Sequence, residues 1–549
     1  MYLGIDVGGT HTDAVVLKDG KIVASAKVPT DHHNLFSSVS KALDSVLYDV
    51  KPHDIRRFNL STTLSTNAIV EGRTEEVGVI VSSGPGIDPE NFRIGGFYHV
   101  IPGSIDHRGK EVRALDVAAL DRAVAACREA GVSVFAAVTK FSTRNPAQEN
   151  AIAAAVADQA DFVSRGHRIS GMLNFPRRIS TAYYNAAVWR TYNEFADAVA
   201  GAAEDYGLLS RINILKADGG TMPFSVSRDQ PVESILSGPA ASVMGTIALC
   251  DISEDCVILD IGGTTTDIAV FADGAPLIET EGIEVGSYPT LVRALKTTSI
   301  GVGGDSRLHV VEGRVRVGPE RNGPPMALGG ARPALMDAFN YLELTDLGDV
   351  AASRAGIESL AALWDTFPEK MAREAVEASV TAILDAVEDM IWAINAKPVY
   401  TIHELLADKR VDPRTLYVMG GPAMAFQPLL SRAWGGRVVV PENYAVANAI
   451  GAALTRTTVE AELFADTEKG RMFIPKFGVE EAVGANYRLA DAEADARRHL
   501  LARLGEFEAL DEDPEVDVTE AGEFNMVGMR GERGRNIRVK CQIRPGILK

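Results

Sequence analysis

The chain has 549 residues, 46% hydrophobic and 23% charged, which is an ordinary globular composition. At about 150 residues per domain, that length predicts three or four domains. The formal net charge of −19 argues against a nucleic-acid or acidic-membrane partner, because both would be repelled.

Residues 2–5 are apolar, and Asp6 interrupts them, so no signal peptide is read there. No apolar run reaches the ~18 residues needed to span a bilayer. Cys127, Cys250, Cys256 and Cys541 form no C-x-x-C pair and read as reduced thiols, which predicts a cytoplasmic protein.

Residues 6–20, DVGGTHTDAVVLKDG, predict a glycine turn, a strand and an Asp-Gly turn. Residues 35–50 have helical apolar spacing. The preceding Asp31-His32-His33 reads as a turn or cap more readily than as a metal site. In segment 61–72 (STTLSTNAIVEG), Thr62, Thr63 and Asn67 form a polar cluster that can cap a helix over 66–71. Residues 77–82 predict a buried strand. Residues 84–110, rich in Gly, Pro and His, predict a long loop or small insertion. Within it, His99 and His107 are weak metal or acid/base candidates. A helix over 115–130, a strand over 132–138 and a helix over 147–160 follow. This alternation implies an α/β half-domain that crosses into the second half near residues 170–195.

Residues 260–274, DIGGTTTDIAVFADG, repeat the first motif with nine of fifteen positions identical and a constant offset of 254. Two copies imply two similar halves facing each other across a cleft, with a nucleotide polyphosphate as ligand. Gly8, Gly9, Gly262 and Gly263 let backbone N–H groups approach an anion. Thr10, Thr12, Thr264, Thr265 and Thr266 add hydroxyl donors. A carboxylate facing phosphate is repelled unless a cation intervenes. Asp6 and Asp260, one from each half, are therefore the candidate magnesium ligands and catalytic carboxylates. Asp13 and Asp267 cap the turns or orient a water. No helix-opening G-x-G-x-x-G and no Walker motif competes with this reading.

Asp218 (in ADGG, 217–220) and Asp305 (beside Gly303-Gly304) are two further catalytic candidates. Each either deprotonates or orients a nucleophile, or caps a glycine turn. Residues 318–333 predict a mobile loop near the cleft. Residues 370–395 predict a long core helix. His403-Glu404 lacks the second His of a metalloprotease helix. Residues 416–423 predict a buried strand delivering Gly420, Gly421 and Pro422. Further on, residues 488–510 read as a charged helix and 511–520 as an acidic run. Residues 530–549 hold seven Lys or Arg against one acid. They predict a solvated hairpin docked on an acidic body or partner rather than an RNA-binding tail.

The duplicated D-x-G-G-T-x-T-D, each copy followed by a hairpin, resembles the actin, sugar-kinase and heat-shock-chaperone ATPase superfamily. Residues 416–423 match its adenosine element, and 438–454 its closing strand and helix. Segments 61–72, 217–220, 237–241 (SGPAA), 260–267 and 419–423 (MGGPA), in that order, resemble the hydantoinase A / 5-oxoprolinase family over about residues 1–457. The chain departs from that pattern in 297–306 and 317–338, where Asp337 stands without its usual neighbours. It also carries His11 where the family often has Phe.

The resemblance implies an α/β fold of two duplicated actin-like (ribonuclease-H-like) lobes around a nucleotide cleft, at 1–185 and 186–457. A small α+β appendage would occupy 458–549. The resemblance also sets Thr62, Thr63 and Asn67 near that cleft, the alternative to capping. It further implies ATP and Mg2+, and a hydrolase subunit that activates a cyclic amide (lactam, imide, hydantoin or 5-oxoproline-like) by phosphoryl transfer to its carbonyl. A B-type partner subunit is expected, making a hetero-oligomer. An ATP-driven reactivase or chaperone-like switch acting on a protein, and an ATP-dependent ketone carboxylase subunit, are the alternatives.

Overall fold

A computed structural model describes residues 1–31, 34–396, 410–506, 514–528 and 531–548. His32, His33 and the His403-Glu404 pair lie outside the described residues.

The two motif copies build two sheets of the same plan. In the first, Lys21–Pro29, His11–Lys18, Tyr2–Val7, Arg57–Thr62, Ile212–Leu215 and Thr221–Pro223 lie in that order. In the second, the order is Ala275–Pro276, Thr266–Ala272, Cys256–Ile261, Thr415–Met419 and Arg437–Val439. Each central strand has an antiparallel hairpin partner on one side and a parallel strand on the other. The second strand of each pair then turns on Asp-Gly into the next strand, with two positive φ angles: 49° and 74° at Asp19-Gly20, and 51° and 75° at Asp273-Gly274. That geometry matches the twist of the flanking strands. The expected crossing at 170–195 is corrected, since Ile212–Leu215 and Thr221–Pro223 still belong to the first sheet.

Residues 77–165 form a third, all-parallel sheet ordered Phe97–Val100, Val77–Ser82, Val134–Thr139, Phe162–Arg165. Val79 and Val81 pack under helix Phe175–Ala187, while Ile80 faces helices Val117–Glu129 and Ala147–Val156 on the other side. This is the period-2 alternation of a strand covered on both faces. The long loop expected at 84–110 thus contains an edge strand, four residues long and hidden among glycines and prolines.

The C-terminal sheet is antiparallel, ordered Val479–Ala482, Arg471–Ile474, Glu460–Asp466, Gly531–Ile543, Val516–Gly528. Helix Leu489–Glu506 covers it with Ala492, Ala496, Leu500 and Leu504. The basic tail is therefore one arm of a hairpin with Val516–Gly528, as expected, but it lies inside the sheet rather than solvated. Ile537, Val539, Cys541 and Ile543 point into the core, while Arg538, Lys540 and Arg544 face Glu520, Glu460 and Asp517. The acidic body it meets is largely its own sheet.

Helices Ser237–Leu249 and Ala447–Leu454 join the lobes. The first lies on the second sheet, against Cys256, Ile258 and Phe271. The second lies on the first sheet, against Val15 and Leu17. Small residues let the two helices touch backbone to backbone. A Cβ on Gly245 would sit 2.2 Å from the Ala447 carbonyl, and one on Gly451 2.2 Å from the Ala241 carbonyl. Buried Asn59 ties down the end of the second helix, donating to Ala452 O and Thr455 O at 2.8 Å each.

The helix expected at 370–395 is Pro368–Asn395, and that at 35–50 is Leu35–Leu47. Among the described residues, no helix is long and apolar enough to cross a membrane. The four cysteines are free thiols.

Candidate active site between the lobes

The glycine turns close in the same way. Gly8 N–H donates to His11 O at 3.0 Å, and Gly262 N–H donates to Thr265 O at 2.9 Å. They face one another, since a Cβ on Gly263 would lie 3.5 Å from Thr10 Oγ1 and 2.8 Å from Asp305 Oδ2. The cleft between them has a volume of about 1070 Å³. Ligand pockets commonly measure about 300–1,000 Å³, so a nucleotide and a small second substrate can share it.

The glycines divide by function. Gly420 is required by the fold: its φ is +87°, and a Cβ would meet Ile261 O at 2.1 Å. Gly9 and Gly421 are not, because a Cβ on either would meet nothing within 4 Å. What a side chain there would obstruct is the cleft itself. Gly9→Ala is therefore expected to leave Tm unchanged and to weaken ATP binding by about tenfold or more. Paired melting and nucleotide-titration curves check this, and equal affinity would place the nucleotide elsewhere.

Four carboxylates converge on the floor of the cleft. Asp6 stands opposite Asp13 across one hairpin, and Asp260 opposite Asp267 across the other. Ser61 Oγ donates to Asp6 at 2.5 Å. Ser242 Oγ and Asn448 Nδ2 both donate to Asp260 Oδ2, the latter at 2.9 Å. Burial pushes Asp6 up to about 7, and Asp13 and Asp260 reinforce the shift. Burial, then Asp260, pushes Asp267 up to about 7. Asp13 is also raised, chiefly by burial, and its Oδ1 is buried with no partner. Such a set is short of positive charge. It fits a divalent cation, which would relieve the repulsion. Among the described residues no three acidic, His or Cys side chains form a protein-only metal cage. Magnesium, which takes one or two carboxylates and completes its shell with water and phosphate, matches that arrangement.

A pH dependence follows. The folded chain favours protonated Asp6 relative to the unfolded chain, whose Asp titrates near 3.8. The stability this gives the cation-free protein is complete below about pH 4 and is lost as pH rises through about 7. Asp6→Asn should remove a few kcal/mol of that decline between pH 5 and pH 8. The test is chemical denaturation at both pH values, and parallel profiles for the two proteins would refute it.

Of the residues predicted to bind the nucleotide or metal or to act as catalytic carboxylates, all but Thr12, Thr266 and Asp218 line this cleft. Thr12 and Thr266 are fully buried and turned away: Thr12 Oγ1 pairs with Thr30 Oγ1 at 3.0 Å, and Thr266 Oγ1 donates to Val302 O at 2.7 Å. Each precedes a cleft-facing aspartate on a strand, and neighbours on a strand point to opposite faces. Asp218 lines a separate cavity of about 100 Å³, where it pairs with Lys216 at 3.1 Å. It also caps its glycine turn by accepting from Gly220 N–H at 3.0 Å. Asp305 does reach the cleft. Arg321 holds it at 2.7 Å, and burial raises its pKa. Thr63 and Asn67 line the cleft, whereas Thr62 is buried beneath them. His99 lies on the edge strand Phe97–Val100 and His107 in the loop beyond; neither lines the cleft.

The loop at 318–333 does border the cleft, through Arg321, Pro325 and Leu328. It is pinned rather than loose. Buried Asp337 accepts from Met326, Ala327 and Ala334 N–H at 2.8–2.9 Å and from Ser353 Oγ at 2.6 Å. Sequence reasoning missed Lys27, Arg321 and Asn448. Lys27 binds Asp13 at 2.9 Å. The hairpin register was the available signal, but a bulge between Val16 and Leu17 shifts it by one.

Residues 2–159 match the hydantoinase/oxoprolinase N-terminal region, and residues 178–461 the hydantoinase/oxoprolinase family. The chain is 26% identical over 477 residues to the caprolactamase subunit alpha of Pseudomonas jessenii, covering 80% of this chain and 68% of that protein. It is 25% identical over 360 residues to 5-oxoprolinase 1 of Arabidopsis thaliana, covering 60% of this chain and 28% of that protein. Among solved structures it resembles nucleotide-free acetone carboxylase with a TM-score of 0.77 at 15% identity, covering 100% of this chain and 87% of that one. It also resembles the ATP-dependent caprolactamase of Pseudomonas jessenii with a TM-score of 0.67 at 20% identity, covering 98% and 87%. Those two likenesses show the fold: two duplicated α/β lobes with a C-terminal appendage. With its two halves matched in order, the chain belongs to the hydantoinase/oxoprolinase family.

Proposed function

We propose that the chain is an ATP-dependent hydrolase subunit that activates a cyclic amide, of lactam or 5-oxoproline type, by phosphoryl transfer to the ring carbonyl oxygen. The observation that carries this is the convergence on one cleft of two glycine turns and four carboxylates, two of them buried and two half-buried. The likeness to a caprolactamase subunit and a 5-oxoprolinase supplies the substrate class.

Backbone N–H groups around Gly8-Gly9 and Gly262-Gly263 bind the phosphates, with Thr10, Thr264 and Thr265 as hydroxyl donors. Asp6 and Asp260 hold magnesium, which supplies charge neutralisation when bound. Lys27 and Arg321 add fixed positive charge on the cleft wall. Gly420 and Gly421 leave a flat surface for the adenosine. Asp305 is the remaining candidate for orienting the attacking water, because Asp218 lies in another cavity. Transfer of the γ-phosphoryl group to the amide oxygen releases ADP and makes the carbon electrophilic; one water adds there and the C–N bond breaks to open the ring, and a second water releases the phosphate. A partner subunit fits the subunit names of the relatives.

A ketone-carboxylase subunit is the second reading. It is favoured by 23% identity over 389 residues to the acetophenone carboxylase gamma subunit of Aromatoleum aromaticum. The deciding experiment measures ATP hydrolysis, with and without a B-type partner, across lactams, hydantoins and ketones. Lactam-stimulated turnover supports the first reading and bicarbonate-dependent ketone turnover the second. Stimulation by a protein alone would overturn both in favour of a chaperone-like switch.

A further inference from the structure

A second cavity, of about 200 Å³, lies between the all-parallel sheet and the C-terminal sheet. One wall follows the carboxyl ends of Val134–Thr139 and Phe162–Arg165, where open parallel sheets place their ligands. The other wall comes from Phe473, Pro475 and the 478–480 segment.

Its charges do not balance. Arg144, Arg165 and Arg168 all line it, and Glu480 is the single acid among its lining residues. Glu480 is already bound by Arg471 at 2.8 Å. Among the described residues, none of the three arginines has a carboxylate within ion-pairing distance. Arg165 has only the Asn150 amide oxygen, at 3.2 Å. Arg144 stacks on the Phe464 ring and leaves its buried Nε without a partner. Burial lowers the pKa of Arg168, and Arg165 and Arg503 push it further down.

A second observation points the same way. Thr143 is 2% exposed and lines the cavity, yet its Oγ1 has no hydrogen-bond partner. His167 also lines it, with Nδ1 held by Glu149 at 2.5 Å, so Nε2 is its remaining hydrogen-bonding atom. Three half-buried cations and an unpartnered buried hydroxyl on one cavity, in a chain of net charge −19, suit an anionic ligand.

We propose that this cavity binds a small oxyanion of phosphate or carboxylate type, gripped by Arg144, Arg165 and Arg168 with Thr143 Oγ1 and His167. Guanidinium forks suit the paired oxygens of such an ion. Bound there, it joins the parallel-sheet insert to the C-terminal sheet. The proposal is independent of the reading of the interlobe cleft.

The test uses the full chain and two probes, inorganic phosphate and acetate, read by calorimetry and by melting. One of them should bind with one-to-one stoichiometry and raise Tm. Arg168→Gln and Thr143→Val should each weaken that binding by about tenfold. Arg321→Gln, which alters only the interlobe cleft, should not. Whichever probe passes names the source of the ion. In anion-free buffer, Arg168→Gln should melt no lower than the parent, because it removes a partly buried charge that Arg165 and Arg503 repel. Binding by neither probe, binding that survives Arg168→Gln, loss confined to Arg321→Gln, or a lower anion-free Tm would each overturn the site.

Discussion

Asp260→Asn is expected to lower magnesium-dependent ATP turnover about a thousandfold while leaving the fold intact. A loss of that size corresponds to about 4 kcal/mol of transition-state stabilisation, within the range for removing one preorganised charge or donor. The amide is the right probe because of how Asp260 is held. Ser242 and Asn448 both donate to Oδ2, while Oδ1 lies beside Gly420. The amide oxygen keeps both hydrogen bonds, and an uncharged nitrogen replaces Oδ1. Magnesium titration of turnover, alongside circular dichroism and melting, separates the two effects. Unchanged turnover would remove Asp260 from the metal site. A collapsed Tm would mean that its role is structural.

Gly451→Ala is expected to destabilise the chain by about 3 kcal/mol or more. By local rules the opposite should hold, since alanine is better than glycine inside a helix by about 1 kcal/mol. Here the added Cβ would lie 2.2 Å from Ala241 O and 2.4 Å from Gly245 N. Both are backbone atoms of the facing helix, so no side-chain rotation relieves the overlap. The helices must separate, and with them the sheets that carry the two glycine turns. The outcome is read as a fall in the denaturation midpoint accompanied by loss of nucleotide affinity. A stability equal to or above that of the parent would show that the lobes are not locked at this crossing.

The two hairpins were legible because they rest on neighbours in sequence. Glycine pairs, Asp-Gly turns and β-branched runs act within about fifteen residues, and the duplication repeats the signal. The same locality explains why residues 97–100 and the basic C-terminal strand were misread. Four residues among glycines carry little periodicity. The 531–543 strand alternates charge with apolar side chains, and only its five-stranded setting shows which face is inside.

Residue chemistry by itself therefore determined that two glycine turns face each other across an α/β body and that each brings an aspartate. Tertiary structure alone decided which of the similar groups share the cleft. Asp218 and Asp305 both sit beside glycine pairs, but one falls in a separate cavity and the other beside the second glycine turn. Asn448 reaches Asp260 from 188 residues away, through the crossing of two helices. Lys27 meets Asp13 because a single bulge offsets the register that would have paired Asp13 with Ala26. Turn chemistry is local, and so it is written in the chain. Convergence of side chains depends on packing and register summed over hundreds of residues, which no short segment encodes.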